Sequence, residues 1–184
     1  FSSPAALDNI LSFSVKNGVP AVLCATGYNE QQIQTIKDTS SKIALFRSGN
    51  MSLGVNLLVD LVKKAAATLY GFDIEIIEKH HNQKVDAPSG TAISLADDIL
   101  SQLDRKSAWE LGEVETAADK LPIKAIREGQ VPGIHTIRYE SEVDSITITH
   151  DAKSRMGFAL GAVLAAEFTC GKKGMLSMND MLNF

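Results

Sequence analysis

Residues 19–25 are a short, continuous apolar run and 42–46, apolar after Lys42, read as a second short buried strand, and each follows a stretch in which apolar side chains recur at helical spacing. A strand apolar on both sides needs cover on both sides, and helices joined to such strands by short turns provide it in a parallel sheet. This helix-strand-helix-strand order confines the first quarter of the chain to an α/β arrangement. The first helix is expected after Pro4, a residue suited to a first helical turn, with Ala6, Ile10 and Phe13 on its inner face and Gly18 at its end. The second is expected from Asn29, with Ile33, Ile36 and the stem of Lys37 turned inward. Phe1-Ser2-Ser3-Pro4 reads as the end of a strand running into the first helix.

The pattern then changes. Val55, Leu58, Val62, Ala65 and Leu69 form one stripe on a helix over 52–69 that Gly71 ends. A strand over 72–77 and a helix over 91–103 follow. Residues 104–120 show no periodicity and read as a loop, in which Glu113 and Glu115 are a solvated pair. Between 122 and 150 the period becomes two: Ile134, Thr136 and Arg138 share one face, His135, Ile137 and Tyr139 the other, and Ile146, Ile148 and His150 align. Strands joined through 141–144 make this an antiparallel sheet, in which His135 and His150 read as hydrogen-bonded sheet residues. Residues 156–168 return to helix, 171–174 read as a connector, and 178–182 as a last helical piece. The fold class is α/β plus α+β, with a parallel sheet in one part and an antiparallel or mixed sheet in the other.

A chain of 184 residues has room for one domain or slightly more. Its 18 basic and 22 acidic side chains give a net charge of −4, so no global positive field is expected to hold nucleic acid. The most apolar stretch, 156–168, falls short of the ~20 residues a bilayer span requires, so no membrane partner is expected. Cys24 and Cys170 stand far apart without a CxxC pairing, which points to reduced thiols in the cytoplasm rather than to a disulfide framework or a thiolate metal site. Cys24, at the end of a buried run, reads as a small core residue.

The densest chemistry lies in residues 78–92, Glu78-Lys79-His80-His81-Asn82-Gln83-Lys84-Val85-Asp86-Ala87-Pro88-Ser89-Gly90-Thr91-Ala92, between an expected strand and an expected helix. His80 and Lys84 can each donate a proton near neutral pH if desolvation or neighbouring charge tunes them. Ser89, Gly90 and Thr91 place two hydroxyls and a backbone free of Cβ at a helix N terminus, where unpaired N–H groups favour a carboxylate or phosphate. A cation beside such a terminus points to a small anionic substrate. The same residues also fit a plain strand end and helix cap. His80, His81 and Asp86 could ligate a metal, but neighbouring residues on an extended segment face opposite ways, and no metal is expected. Hydrolysis by His80 with Ser89 is another alternative, although no GxSxG turn is present.

The segment from Glu78 to Ala92 resembles the motif of the dihydrodipicolinate reductase family. Further stretches resemble the same family: Ala25-Thr26-Gly27-Tyr28, Asn50-Met51-Ser52-Leu53-Gly54-Val55-Asn56, Arg127-Glu128-Gly129, Val131-Pro132-Gly133 with His135, and Thr149-His150 through Ala162. The resemblance implies a NADH- or NADPH-dependent reductase of a cyclic dicarboxylate imine in lysine and diaminopimelate synthesis, assembled as a homotetramer through its antiparallel sheet. It also implies roles for particular residues. His80 would be proton donor or acceptor and Lys84 proton donor; His81, Ser89, Gly90 and Thr91 would bind substrate. Cys24, Ala25 and Thr26 would flank the nicotinamide ribose, with Ser48, Gly49, Asn50 and Met51 lining the nicotinamide. Cys24-Ala25-Thr26 departs from the family's more usual Gly-Thr-Thr, and Met51 stands where an aromatic residue is usual.

The resemblance further implies a division into 1–51, the second half of a Rossmann-like dinucleotide-binding domain; 52–155, a substrate-binding and oligomerisation domain; and 156–184, a helix returning to the first. The family's Gly-rich pyrophosphate turn has no counterpart here, and the chain is expected to begin downstream of it. An inactive substrate-binding or assembly module is the alternative that this expectation leaves open.

Overall fold

The computed structural model describes residues 3–112 and 117–183; Phe1, Ser2, Glu113 and Glu115 lie outside the described residues. The chain forms two compact units, one from Phe1–Asn56 with Met156–Phe184 and the other from Leu57–Arg155.

In the first unit, strands β1 (Ala21–Leu23), β2 (Ala44–Arg47) and β8 (Gly174–Leu176) pair in the order β1-β2-β8, all parallel. Helix α1 (Leu7–Asn17) ends at Gly18, whose φ of 63° is a left-handed conformation that glycine adopts freely. Its buried face is Leu7, Leu11 and Ser14, and the two leucines cluster with Leu23, Ile36 and Leu45. Phe13 is 65% exposed, which corrects its expected inward position: the stripe runs one residue out of phase with it. Helix α2 (Glu30–Ser40) starts at a capping box in which Asn29 and Gln32 bond reciprocally. The expected connector at 171–174 leads into β8, a strand too short to show a period of its own and held by pairing with β2. Helices α5 (Met156–Thr169) and α6 (Met178–Leu182) close a second core around Phe46, Met51, Ala162, Ala165 and Met178.

Helix α3 (Leu53–Thr68) runs from the first unit into the second, which is built on a five-stranded mixed sheet of order β4-β5-β3-β6-β7. Its strands are β3 (Asp73–His80), β4 (Ala108–Leu111), β5 (Lys120–Arg127), β6 (Ile134–Glu140) and β7 (Ser145–Asp151). Strands β6 and β7 pair antiparallel, as their period predicts, whereas β5 is parallel to both β3 and β4. Strand β4 lies within the stretch read as a loop, a second correction: its four residues are half-exposed or exposed and gain their order from β5. Leu58 and Val62 of α3, with Leu95 and Ile99 of α4 (Gly90–Leu100), pack on Ile74, Ile76, Leu121, Ile123, Ile137 and Tyr139. The Tyr139 hydroxyl donates to the Val62 carbonyl at 2.8 Å, so the one polar atom this ring buries is satisfied.

Candidate functional site

Alternate residues of β3 face the core of the second unit: Ile74, Ile76, Glu78 and His80 are all buried. The period of two that buries the isoleucines therefore also buries a carboxylate and an imidazole at the carboxyl end of the strand. Register completes the cluster, because β6 sets His135 opposite Glu78 and β5 sets Arg127 opposite His80.

A fully buried carboxylate is costly unless donors surround it. The Ser89 backbone N–H donates to Glu78 Oε1 at 3.1 Å and Arg127 Nη2 donates to the same oxygen at 3.0 Å. The other oxygen, Oε2, stands 3.1 Å from His80 Nδ1 and 3.9 Å from His135 Nε2. Burial by itself would raise the Glu78 carboxyl, but the Ser89 hydroxyl, the Arg127 guanidinium, His80 and the Ser89 N–H together hold it below the usual carboxylate range. Burial lowers the proton affinity of His80; Glu78 opposes this, while Lys84 and Arg127 reinforce it. Burial pushes His135 down to about 4. The two imidazoles meet edge to face, with centroids 5.2 Å apart.

The loop after β3 is fastened to this cluster by Arg127, which donates to the carbonyls of Lys84 at 3.3 Å and Asp86 at 2.6 Å. Lys84 Nζ in turn donates to both Asp86 oxygens, at 2.8 and 2.9 Å. His81 is half-buried just past the strand end, and Ala87-Pro88 is a cis peptide. Ser89 caps α4: its Oγ accepts from the Ala92 N–H at 3.2 Å and lies 3.2 Å from His135 Nε2. With Ser89 only 2% exposed and its hydroxyl so engaged, the alternative of a serine nucleophile fails. Gly90 is exposed with open space where a side chain would stand, and Thr91 is half-buried beside it. The start of α4 can thus receive an anion.

Glu78, His80 and His135 bring ligating atoms within 4.8 Å of one another. The fixed charge of Arg127, already on the same carboxylate, opposes a divalent cation there, and the donor set suits proton transfer better. His81 and Asp86 are not gathered with His80 in this cluster.

In the first unit, Cys24, Ala25 and Thr26 follow β1 and Ser48, Gly49, Asn50 and Met51 follow β2, at the carboxyl ends of adjacent parallel strands. Open parallel sheets place their ligands at such ends. The two turns touch: a Cβ on Gly49 would stand 3.6 Å from the Thr26 methyl. Ser48 Oγ donates to the Asn50 carbonyl at 2.6 Å, and Thr26 and Gly49 are exposed. This small, polar double turn fits a nucleotide's ribose or nicotinamide edge. Burial pushes the Cys24 thiol up, away from reactive thiolate character. Met51 is buried against the core of this unit.

Sequence reasoning did not single out Glu78, Arg127 or Gly133 for a role. The available signal was a carboxylate two residues before a histidine in one strand, since that spacing fixes both on one face.

Comparison with known proteins agrees with this architecture. Residues 1–51 match the family model described as dihydrodipicolinate reductase, N-terminus, and residues 54–182 match its C-terminus. A 4-hydroxy-tetrahydrodipicolinate reductase of Caldanaerobacter subterraneus is 42% identical over 187 residues, covering 99% of this chain and 74% of the relative. That of Clostridium tetani is 43% identical over 188 residues, covering 100% and 74%. A solved structure, dipicolinate-bound dihydrodipicolinate reductase from Paenisporosarcina sp. TG-14, superposes with a TM-score of 0.81 at 25% identity, over 98% of this chain and 71% of that one. No helix among the described residues is long and apolar enough to cross a membrane. The chain belongs to the dihydrodipicolinate reductase family of oxidoreductases.

Proposed function

We propose that this chain reduces dihydrodipicolinate, a cyclic imine dicarboxylate, to its tetrahydro form in lysine and diaminopimelate biosynthesis, with NADH or NADPH as reductant. One juxtaposition carries the reading: His80, buried and backed by Glu78, ends β3 beside the loop that delivers Lys84 and the N terminus of α4. That the Paenisporosarcina relative is dipicolinate-bound supports a dicarboxylate as the substrate class.

A nicotinamide, when bound, supplies the hydride. Cys24, Ala25, Thr26, Ser48, Gly49, Asn50 and Met51 would hold it, and what remains for the chain is to bind the dicarboxylate and move a proton. Gly90, Thr91 and His81 would bind the carboxylates at the N terminus of α4, where the helix favours negative charge, and Ser89, its N–H on Glu78 and its hydroxyl between the Ala92 N–H and His135, would hold that turn in place. Hydride addition makes the substrate ring electron-rich, and His80 or Lys84 would deliver the proton that completes the reduction. The division of labour we propose is 1–51 for the nucleotide, 52–155 for the substrate and assembly, and 156–184 as the helix returning to the first part. Self-association into a homotetramer through β7 belongs to the same reading.

Turnover of dihydrodipicolinate with either nicotinamide, measured for the full chain and for His80→Gln and Lys84→Ala, tests the assignment. Each variant is expected to lose about 100-fold or more in kcat, the usual contribution of a positioned acid or base. Wild-type rates in both variants would overturn it.

A further inference from the structure

We propose that Glu78 is the positioning residue of this site: its Oε2 fixes His80 as the Nδ1–H tautomer and aims Nε2 into the space left by Gly133, making Nε2 the proton-exchanging atom. The proposal rests on the reading of His80 as a proton-handling group.

Three observations converge on it. The first is that Glu78 cannot turn away, because its Oε1 is pinned by Ser89 N–H on one side and Arg127 on the other. The second is that Glu78 Oε2 and His80 Nδ1, both shielded from solvent, are 3.1 Å apart, and neither has a hydrogen-bond partner elsewhere among the described residues. That separation is within hydrogen-bond reach, and buried polar atoms are rarely left unpaired. The third is Gly133: a Cβ there would lie 3.1 Å from His80 Nε2 and 3.3 Å from Cδ2, so the missing side chain is the space Nε2 faces. The Gly133 carbonyl is itself fixed by the Ala152 N–H at 2.9 Å, which holds that opening in place.

The groups facing His80 come from every neighbouring element. Glu78 lies on its own strand, Lys84 and Asp86 on the loop, Arg127 on β5 and His135 on β6. His135 does not compete for Glu78, since its Nε2 lies 3.9 Å from Oε2 and 3.2 Å from the Ser89 hydroxyl. Lys84 and Arg127 oppose protonation of His80, and Glu78 is the anion that most favours it. Removing its charge must make the imidazolium harder to form.

The test is a nitrogen-15 NMR titration of the imidazoles in the full chain without substrate, in wild type and in Glu78→Gln. The wild type is expected to show His80 as the Nδ1–H tautomer. In Glu78→Gln its midpoint is expected to fall by about one to three pH units, the effect of losing an adjacent opposite charge, and the single tautomer to be lost. The limb of the kcat profile that reports His80 should move to lower pH by the same amount, with KM for the dicarboxylate changed little. Glu78→Asp, which keeps the charge and shortens the reach, should hold the midpoint near wild type while weakening the Nδ1–H signal. A wild-type His80 in the Nε2–H form overturns the proposal, whether or not Glu78→Gln folds, as does an unshifted midpoint in a folded Glu78→Gln. Because the titration needs no substrate, failure of the chain to turn over dihydrodipicolinate would leave its result standing.

Discussion

His135 shows how burial at one residue becomes a property of the fold. It is 4% exposed, its Nδ1 has no partner among the described residues, and burial holds its proton affinity near 4 against an ordinary value of 6.5. The unfolded chain therefore binds a proton at this residue between pH 6.5 and 4 that the folded chain refuses. Stability must fall as pH falls through that window and stay level, for this group, above 6.5. A shift of this size corresponds to about 3 kcal/mol. Urea unfolding at pH 7.5 and 4.5 should show that loss in wild type and a smaller one in His135→Gln, whose amide does not titrate; equal pH dependence in the two proteins would refute it. His80 and His135 were both visible in sequence, one from the motif and the other from its place on a face with Ile137 and Tyr139. The role of Glu78 was not, because its partners Ser89 and Arg127 lie 11 and 49 residues away and no local rule reports a buried carboxylate whose donors come from elsewhere.

Among the elements, those with a full apolar stripe or a long alternating run were legible, and those that borrow their order from a neighbour were not. α3 carries its stripe for sixteen residues, and β6 alternates for seven. β4 and β8 have four and three residues, and each pairs on one side alone. In so short an edge strand, ladder bonds to a neighbour rather than side-chain period decide the conformation. β7 is the opposite kind of edge: seven residues, mostly exposed, with Ile146 at 41% and Val143 in the preceding turn at 90%. A long exposed edge with apolar residues invites pairing with another copy, and charge on such an edge suppresses it. Under the homotetramer proposal, light scattering should give Ile146→Lys roughly a quarter of the wild-type mass, since closed symmetric assembly repeats the same lesion at every copy. A wild-type chain already monomeric at micromolar concentration would remove β7 from that role.

At the scale of the whole molecule, the second unit is continuous in sequence and the first is not: residues 57–155 separate its two segments, Phe1–Asn56 and Met156–Phe184. Each unit has its own apolar core, so the first must be closed by contacts between segments a hundred residues apart. One of these is at Gly161 of α5, where a Cβ would fall 1.7 Å from the Met51 carbonyl oxygen and 2.8 Å from its carbon. Only hydrogen fits there, and the neighbour is backbone, which cannot swing aside as a flexible side chain would. Gly161→Ala must therefore push α5 off the turn at 48–51 or distort that turn, at a cost of about 3 kcal/mol, the upper end of ordinary overpacking. The loss should be confined to the first unit. Hydrogen exchange should quicken in β1, β2 and α5 while β3 and β6 keep wild-type protection, because the cores share no buried residue. The same variant should weaken nicotinamide binding, since the displaced turn is the one assigned to that ring, and leave dipicolinate binding close to wild type. Uniform loss of protection across both units would show instead that they unfold as one, and would make the closing helix a support for the entire chain.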